Sequence, residues 1–449
     1  MNVLKTTLTI LSFSMLYVFS SCEGEGKINP NFQQEAANPE CLHQSLVSLT
    51  KVIRHDLFPP MIASRIYTYA QIAAYEALNA QTPQYISLAG QLNSMPAMPK
   101  AENGKEICLP LAAVTAYFRV GKQLTFSGDS IDVEVGKIRA NFKKMGIPKS
   151  IFDRSIALGD TIGGAVLKWA KGDNYNQTRS MPKYTIQQQN PKTWRPTMPT
   201  YDDAVEPNWH KIRPLTLDSA AQFKPVRPTP FDSVKSSKFY KEAYEVYKTV
   251  ADSTAERIAT AWYWDDNPVA TTNSGHFSVV RKKITPPGHW LWITMYASRQ
   301  HNKNIFEASE AYLKVAVGLF DVFISCWDEK YRSEVVRPET YIGQYISPQW
   351  TPIIVTPPFP EYTSGHSCVS GASAVILNTV FAGETNFSDS TEMQFGIPSR
   401  TFKSFDEAAA QATISRMYAG IHYRPACEIG ILQGKTVGQY VLSKIKTQK

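Results

Sequence analysis

Apolar residues in 58-FPPMIASRIYTYAQIAAYEALNAQ-81 return at helical intervals, at Ile62, Ile66, Tyr69, Ala73 and Leu78, and the Pro-Pro entry suits a helix start. The same texture marks 108–124, 150–171, 235–264, 286–328, 366–383 and 405–419. The last of these opens on Ser404-Phe-Asp-Glu407, a capping-box pattern. Alternating β-branched runs are scarce, and no internal repeat is visible. These patterns predict a mostly α chain with one helical core. An N-terminal part, 41–300, and a C-terminal part, 301–449, would form one compact unit. At 449 residues and 43% hydrophobic, the chain is long and apolar enough for such a core. Between 174 and 234 the helical texture gives way to proline, as in 191-PKTWRPTMP-199 and 222-QFKPVRPTP-230. The Trp and Phe residues there predict a long irregular connection that packs against a surface.

The first residues, 1-MNVLKTTLTILSFSMLYVFSSC-22, carry Lys5, an apolar run from Leu8 to Phe19 and then Ser20-Ser21-Cys22. The run is shorter than the ~20 residues a spanning helix needs. The pattern resembles a bacterial lipoprotein signal. It implies a signal peptide over 1–21, lipidation at Cys22 and a tether over 22–40. The body would then be exported and lipid-anchored in the cell envelope, at the periplasm or outer membrane. Five cysteines remain, none in a CxxC pair, so zinc or dithiol chemistry has no support. Cys326 and Cys368 lie in apolar helical surroundings and are expected to be core residues. The net charge of +8 is spread without a Lys/Arg block, which leaves no nucleic-acid footprint but suits an anionic ligand.

Three short patterns concentrate in the C-terminal third: 330-KYRSEVVRP-338, 363-TSGH-366 and 415-SRMYAGIH-422. Lys330 and Arg337 are seven apart, which on one helix would put both cations on one face. Arg416 and His422 stand on either side of Gly420, a candidate helix end. Together the patterns supply three cations, two imidazoles and a Gly-containing turn at a helix N-terminus. Arginine forks, a lysine point charge, the Ser364 hydroxyl and the Gly365 N–H suit a compact oxyanion. The two histidines would divide bonding to the central atom from proton transfer.

In this order and spacing the motifs resemble the superfamily that joins type 2 phosphatidic acid phosphatases with vanadium-dependent haloperoxidases. The resemblance implies a helical bundle of the acid phosphatase/vanadium-dependent haloperoxidase type, with long irregular Pro-rich connections. It makes His422 the axial ligand of vanadate or the phosphatase nucleophile, and His366 the general acid/base opposite it. Lys330, Arg337 and Arg416 would neutralise the equatorial oxygens, helped by Ser364 and Gly365. The order 194-WRPT-197, 207-PNW-209, 222-QFKP-225, 286-PPGHW-290 and 321-DVFISCWDEKY-331 is similar to the bacterial haloperoxidase branch. Trp327 and Phe359 resemble chloroperoxidase-type pocket positions. Asp265, in 262-WYWDDNP-268, resembles a carboxylate that holds the site arginine.

The haloperoxidase reading implies a vanadate cofactor, with hydrogen peroxide and halide as substrates. His366 would take a peroxide proton and Lys330 would polarise the peroxide. The phosphatase alternative needs no cofactor and implies a phosphate ester, with His422 attacking phosphorus. A third alternative is a non-catalytic oxyanion-binding surface lipoprotein. The sequence leaves open the halide and the oligomeric state, a homodimer included. Two departures from the family pattern stand out. Thr363 replaces the usual proline before Ser-Gly-His, which would loosen the loop. Ala426 stands where an aspartate usually orients the last histidine, and Glu428, two residues on, is off that face.

Overall fold

The structure, a computed structural model, describes residues 28–268, 270–274, 277–382 and 386–449. The signal peptide expected at 1–21 and the lipidation expected at Cys22 fall outside the described residues. The described part of the 22–40 segment is not a free tether. It forms α1 (Phe32–Ala36), whose Phe32 and Ala36 are buried in the core.

Among the described residues, seven helices precede the Pro-rich segment's irregular stretch: α1, α2 (Glu40–His55), α3 (Pro60–Asn79), α4 (Leu109–Leu124), α5 (Gly128–Lys144), α6 (Lys149–Ala170) and the single turn α7 (Tyr175–Thr178). Pro60 occupies the first helical position of α3, where its missing N–H costs nothing. After the segment come α8 (Lys238–Ala251), α9 (Ala255–Tyr263) and a hairpin of β1 (Ala270–Ser274) with β2 (Phe277–Arg281). Next are α10 (Pro286–Gln300), α11 (Ile305–Ser333), α12 (Pro338–Tyr345) and α13 (Gly365–Val380). The chain closes with β3 (Phe387–Asp389) paired to β4 (Arg400–Phe402), then α14 (Phe405–Tyr418) and α15 (Arg424–Lys444).

α11 is the axis of the molecule. Its start is a full capping box, with the Asn304 side chain on the Phe306 and Glu307 N–H groups and Glu307 returning to the Asn304 N–H. At about 1.5 Å per residue it runs some 40 Å, and it is buried along nearly its whole length against α3, α10, α13 and α15. The apolar core runs from Phe32 to Ile445, so both halves of the chain build it. At Ser404 the cap is only half of the expected box. Its hydroxyl takes the Glu407 N–H at 3.1 Å, while Glu407 reaches the Lys403 N–H at 2.5 Å.

Two features set up the site. The first is the close approach of α13 and α15. A Cβ on Gly371 would meet the Ile431 carbonyl at 2.3 Å, and one on Gly434 the Cys368 carbonyl at 2.0 Å. Only glycine permits that spacing. The second is the end of α11. Glu334 takes the left-handed conformation (φ 51°) and turns the chain, so Arg337 is the N-cap of α12. Lys330 and Arg337 therefore do not share one helix face.

The 174–234 segment packs as its aromatics predict. Trp194 and Trp209 are buried. The Trp194 N–H donates to the Glu334 carbonyl at 2.7 Å, and the Asp321 carboxylate on α11 accepts the Leu215 and Thr216 N–H groups, both at 2.7 Å. Cys41, Cys108, Cys326, Cys368 and Cys427 are all free thiols. Among the described residues no helix is long and apolar enough to cross a membrane.

Candidate active site

Six stretches bring the motif residues to one place. The last turns of α11 carry Trp327 and Lys330, and the turn after it carries Arg337. The loop before α13 carries Phe359 to Ser364, and the first turn of α13 carries Gly365 and His366. The end of α14 carries Arg416, and Gly420, at φ +82°, breaks the chain before His422. Gly365, His366 and His422 line one small cavity with Trp327 and Phe359. A larger vestibule of about 320 Å³, with Thr197, Pro199, Val205 and Asp266 on its walls, also contacts His366 and Phe359.

Lys330 and Arg337 are buried and held by carbonyl oxygens instead of by ion pairs. Lys330 Nζ donates to three carbonyls, Pro360 at 3.0 Å, Glu361 at 3.1 Å and Thr363 at 2.5 Å. It lies over the Trp327 and Phe359 rings, 5.6 and 5.0 Å from their centroids. Burial pulls its pKa down to about 8, against the Cys326 thiol. Arg337 donates from Nε to the Phe359 carbonyl at 2.9 Å and from Nη1 to the Ile421 carbonyl at 2.8 Å. Its Nη1 also lies 3.2 Å from His422 Nε2, and its buried Nη2 has no protein partner. Among the described residues no carboxylate pairs with Lys330 or Arg337. Arg416 is held from below by the Trp264 carbonyl at 2.5 Å and the Ala261 carbonyl at 3.3 Å. Burial lowers its pKa, and the charges of Asp265 and then Asp266 oppose that. Asp265 is buried beside the arginine that the resemblance gave it.

His422 is oriented by a residue the sequence reading passed over. Its Nδ1 lies 2.8 Å from Glu361 Oε1, which also accepts the Tyr423 N–H at 3.0 Å. Ala426 contributes only its carbonyl, to the Ser364 N–H at 3.0 Å. Glu428 is largely exposed and pairs with Arg424 at 3.7 Å, so it does not substitute. The only trace of Glu361 in the sequence is its place five residues before His366, in a stretch with no periodicity to give it a direction. Burial raises the Glu361 pKa to about 7, against Arg337 and Lys330. Burial, then Arg337 and Lys330, push His422 well below the usual histidine range. The ring is therefore neutral. A carboxylate on Nδ1 fixes the proton there and leaves the Nε2 lone pair facing the cations.

Thr363 does not leave the loop loose. Its hydroxyl donates to Gln433 Oε1 at 2.7 Å, and its carbonyl is one of the three on Lys330. The same hydroxyl lies 3.6 Å from the Cys326 sulfur and 3.5 Å from that of Cys368, so these core thiols also support the loop. Ser364 caps α13, accepting the Ser367 N–H at 3.3 Å and the Ser367 hydroxyl at 2.9 Å. Its own hydroxyl proton stays available to donate. The Gly365 N–H belongs to the first helical turn, whose donors have no partner within the helix. His366 is neutral, its pKa driven far down by burial and then by Arg416 and other cations. Buried cations, helix-end donors and an unprotonated ring nitrogen form a pocket that can hold a compact oxyanion through one coordinate bond and several charge-assisted hydrogen bonds.

The architecture and the pocket define a helical-bundle oxyanion protein, and the comparisons narrow the class. A family model described as the second helical-bundle domain of VCPO matches residues 310–448. A crystal structure of a bacterial vanadium-dependent iodoperoxidase is 44% identical, covers 95% of this chain and 99% of its own, and superposes with a TM-score of 0.87. Two crystal structures of bacterial vanadium-dependent chloroperoxidase, holo-type and apo-type, share the fold at 16% identity. The holo-type structure covers 93% of this chain and 97% of its own (TM-score 0.68), the apo-type 89% and 98% (TM-score 0.65). A comparison with curated proteins finds no match. The chain belongs to the vanadium-dependent haloperoxidases.

Proposed function

We propose that the enzyme oxidises iodide with hydrogen peroxide, on a vanadate held at His422. The observation that carries this is the pairing of two buried cations that lack carboxylates, Lys330 and Arg337, with the unprotonated Nε2 of a neutral His422. The unpartnered Nη2 of Arg337 fits the same anion. His422 Nε2 would bind the metal. Lys330, Arg337 and Arg416 would balance the charge on its oxygens, and the Ser364 hydroxyl and Gly365 N–H would donate to them. When bound, vanadate supplies Lewis-acid activation of peroxide without a change of oxidation state. His366 takes the peroxide proton, and Lys330 places positive charge beside the oxygen to be transferred. Trp327 and Phe359 keep water from one side of the pocket.

The choice of iodide rests on the 44% identity to an iodoperoxidase, against 16% to the chloroperoxidases. Trp327 and Phe359 line the pocket. Purified protein given orthovanadate, peroxide and iodide should form triiodide, and His422→Ala should abolish it. Chloride turnover at a similar rate would move the specificity to the chloroperoxidases. Hydrolysis of a chromogenic phosphate ester without oxidation of any halide would replace the oxidase with the phosphatase.

The N-terminal pattern supports export and a lipid anchor on Cys22 as part of the same reading. Mass spectrometry of the mature N-terminus should find diacylated Cys22, and Cys22→Ser should release the protein from membranes. An unmodified N-terminus would remove the anchor.

A further inference from the structure

Two buried residues take no part in the oxyanion pocket, yet they are tied to its acid/base. His289 comes from the 286-PPGHW-290 entry of α10, and Asp389 ends β3. The Nδ1 of His289 lies 2.9 Å from Asp266 Oδ1, and its Nε2 lies 2.7 Å from Asp389 Oδ2. Ionised carboxylates only accept, so a ring bonded to one through each nitrogen donates from both and is an imidazolium. Burial alone would strip that charge, but Asp266 and Asp389 outweigh it and hold the ring's pKa well above the usual range. Asp389 is completed by the Tyr263 hydroxyl at 2.7 Å and the Thr391 N–H at 2.9 Å. Trp264 stacks on the His289 ring with centroids 4.7 Å apart.

The second oxygen of Asp266 turns toward the active site. It stands 3.7 Å from His366 Nε2, just beyond hydrogen-bond length. That nitrogen is buried and has no hydrogen-bond partner. Nδ1 is then the nitrogen of His366 left for the pocket. The same cluster does not call for a metal ion, although ligand atoms of Asp266, His289 and Glu392 lie within 4.8 Å of one another. Lys283 already sits 3.1 Å from Glu392, and both ring nitrogens of His289 are taken by carboxylates, so the ring has no lone pair to offer a metal.

We propose that Asp389, His289 and Asp266 form a fixed row of charge that positions His366: as its Nδ1 takes the peroxide proton, its Nε2–H closes onto Asp266. His289 holds Asp266 through one carboxylate oxygen, which leaves the other oxygen turned toward His366. The three are positioning residues, since none touches peroxide or halide. The inference rests on the proposed role of His366 in moving the peroxide proton.

Nitrogen-15 NMR of the metal-free full chain, labelled at histidine, tests the first link. His289 should show both ring nitrogens protonated at pH 7, and a neutral imidazole there would overturn the row. Steady-state kinetics with iodide test the second. His289→Gln and Asp389→Asn should each lower kcat/KM for peroxide by about tenfold to a hundredfold, as loss of an outer partner does elsewhere. KM for iodide should stay unchanged. Equal losses in the peroxide and iodide parameters, or no loss, would overturn the proposal while leaving the enzyme's function standing. A wild-type protein without haloperoxidase activity would overturn both. If His289→Gln fails to fold, Asp389→Asn and the wild-type spectrum still decide.

Discussion

Glu361 supplies the carboxylate that Ala426 cannot, from a loop 61 positions before His422 in the chain. Its acceptance of the Nδ1 proton sets the direction of the Nε2 lone pair, so its loss should be felt at the metal. Glu361→Gln keeps an acceptor but removes the charge. We expect vanadate affinity to fall about 10–100-fold, measured by titrating vanadate into the metal-free protein, with the fold unchanged. Lys330 gives a second prediction at this scale. Its pKa, lowered by burial to about 8, means the ammonium is charged below that pH and sheds its proton above it. Vanadate affinity of the metal-free protein should therefore hold up to about pH 8 and decline above it. An affinity flat to pH 10 would show that Lys330 keeps its charge. The motif residues were legible because two of only eight histidines stand in a recognisable spacing with Lys, Arg, Ser and Gly. Glu361 and Asp266 were not, because a carboxylate in a loop has no periodicity to say where it points. Asp265 stood out through its resemblance to a carboxylate that holds the site arginine, but it is Asp266, one residue on, that faces His366.

At the scale of elements, the site depends on how close α13 can come to α15. Gly371, Gly430, Gly434 and Gly438 line that contact, each with backbone of the other helix inside the space a Cβ would need. Gly434→Ala places a methyl 2.0 Å from the Cys368 carbonyl, so the helices must separate. The expected cost is about 1–3 kcal/mol, read from denaturant unfolding, with a parallel loss of vanadate affinity because α13 carries Ser364 to His366. Gly136→Ala, inside α5 with open space around it, is the control: it should leave vanadate affinity unchanged and raise stability by about 0.5–1 kcal/mol through helix propensity. Periodicity showed most of the helices at this scale, with boundaries within a few residues, but α2, α5 and α15 were not expected, and 235–264 and 286–328 each divide into two helices. The placement of Lys330 and Arg337 on one helix failed for a local reason. Glu334 adopts a left-handed conformation that no residue pattern announced, and α11 stops there. The replacement for proline at Thr363 was likewise undecidable from the sequence, since its anchor, Gln433, lies 70 residues away.

At the scale of the whole molecule, the 174–234 segment ties the two halves together by docking on α11. Asp321 is fully buried and accepts the Leu215 N–H, the Thr216 N–H and the Thr216 hydroxyl at 2.5 Å. Asp321→Ala leaves these donors buried without partners. It should cost about 1–3 kcal/mol per unsatisfied group and increase proteolysis within 174–234. Unchanged protection would mean that Trp194 and Trp209 hold the segment unaided. What the sequence determined by itself was the helical class, the packing of the Pro-rich segment and the residue types of an oxyanion pocket. Those follow from periodicity, composition and rare side chains, all of which are local. Only the tertiary structure decided which carboxylate orients His422, which aspartate faces His366, and that among the described residues Lys330 and Arg337, from separate elements, form no ion pair with a carboxylate. The first two are contacts across 61 and 100 residues, and the third follows the turn at Glu334. Such contacts are fixed by the packing of helices whose faces the sequence shows and whose partners it does not.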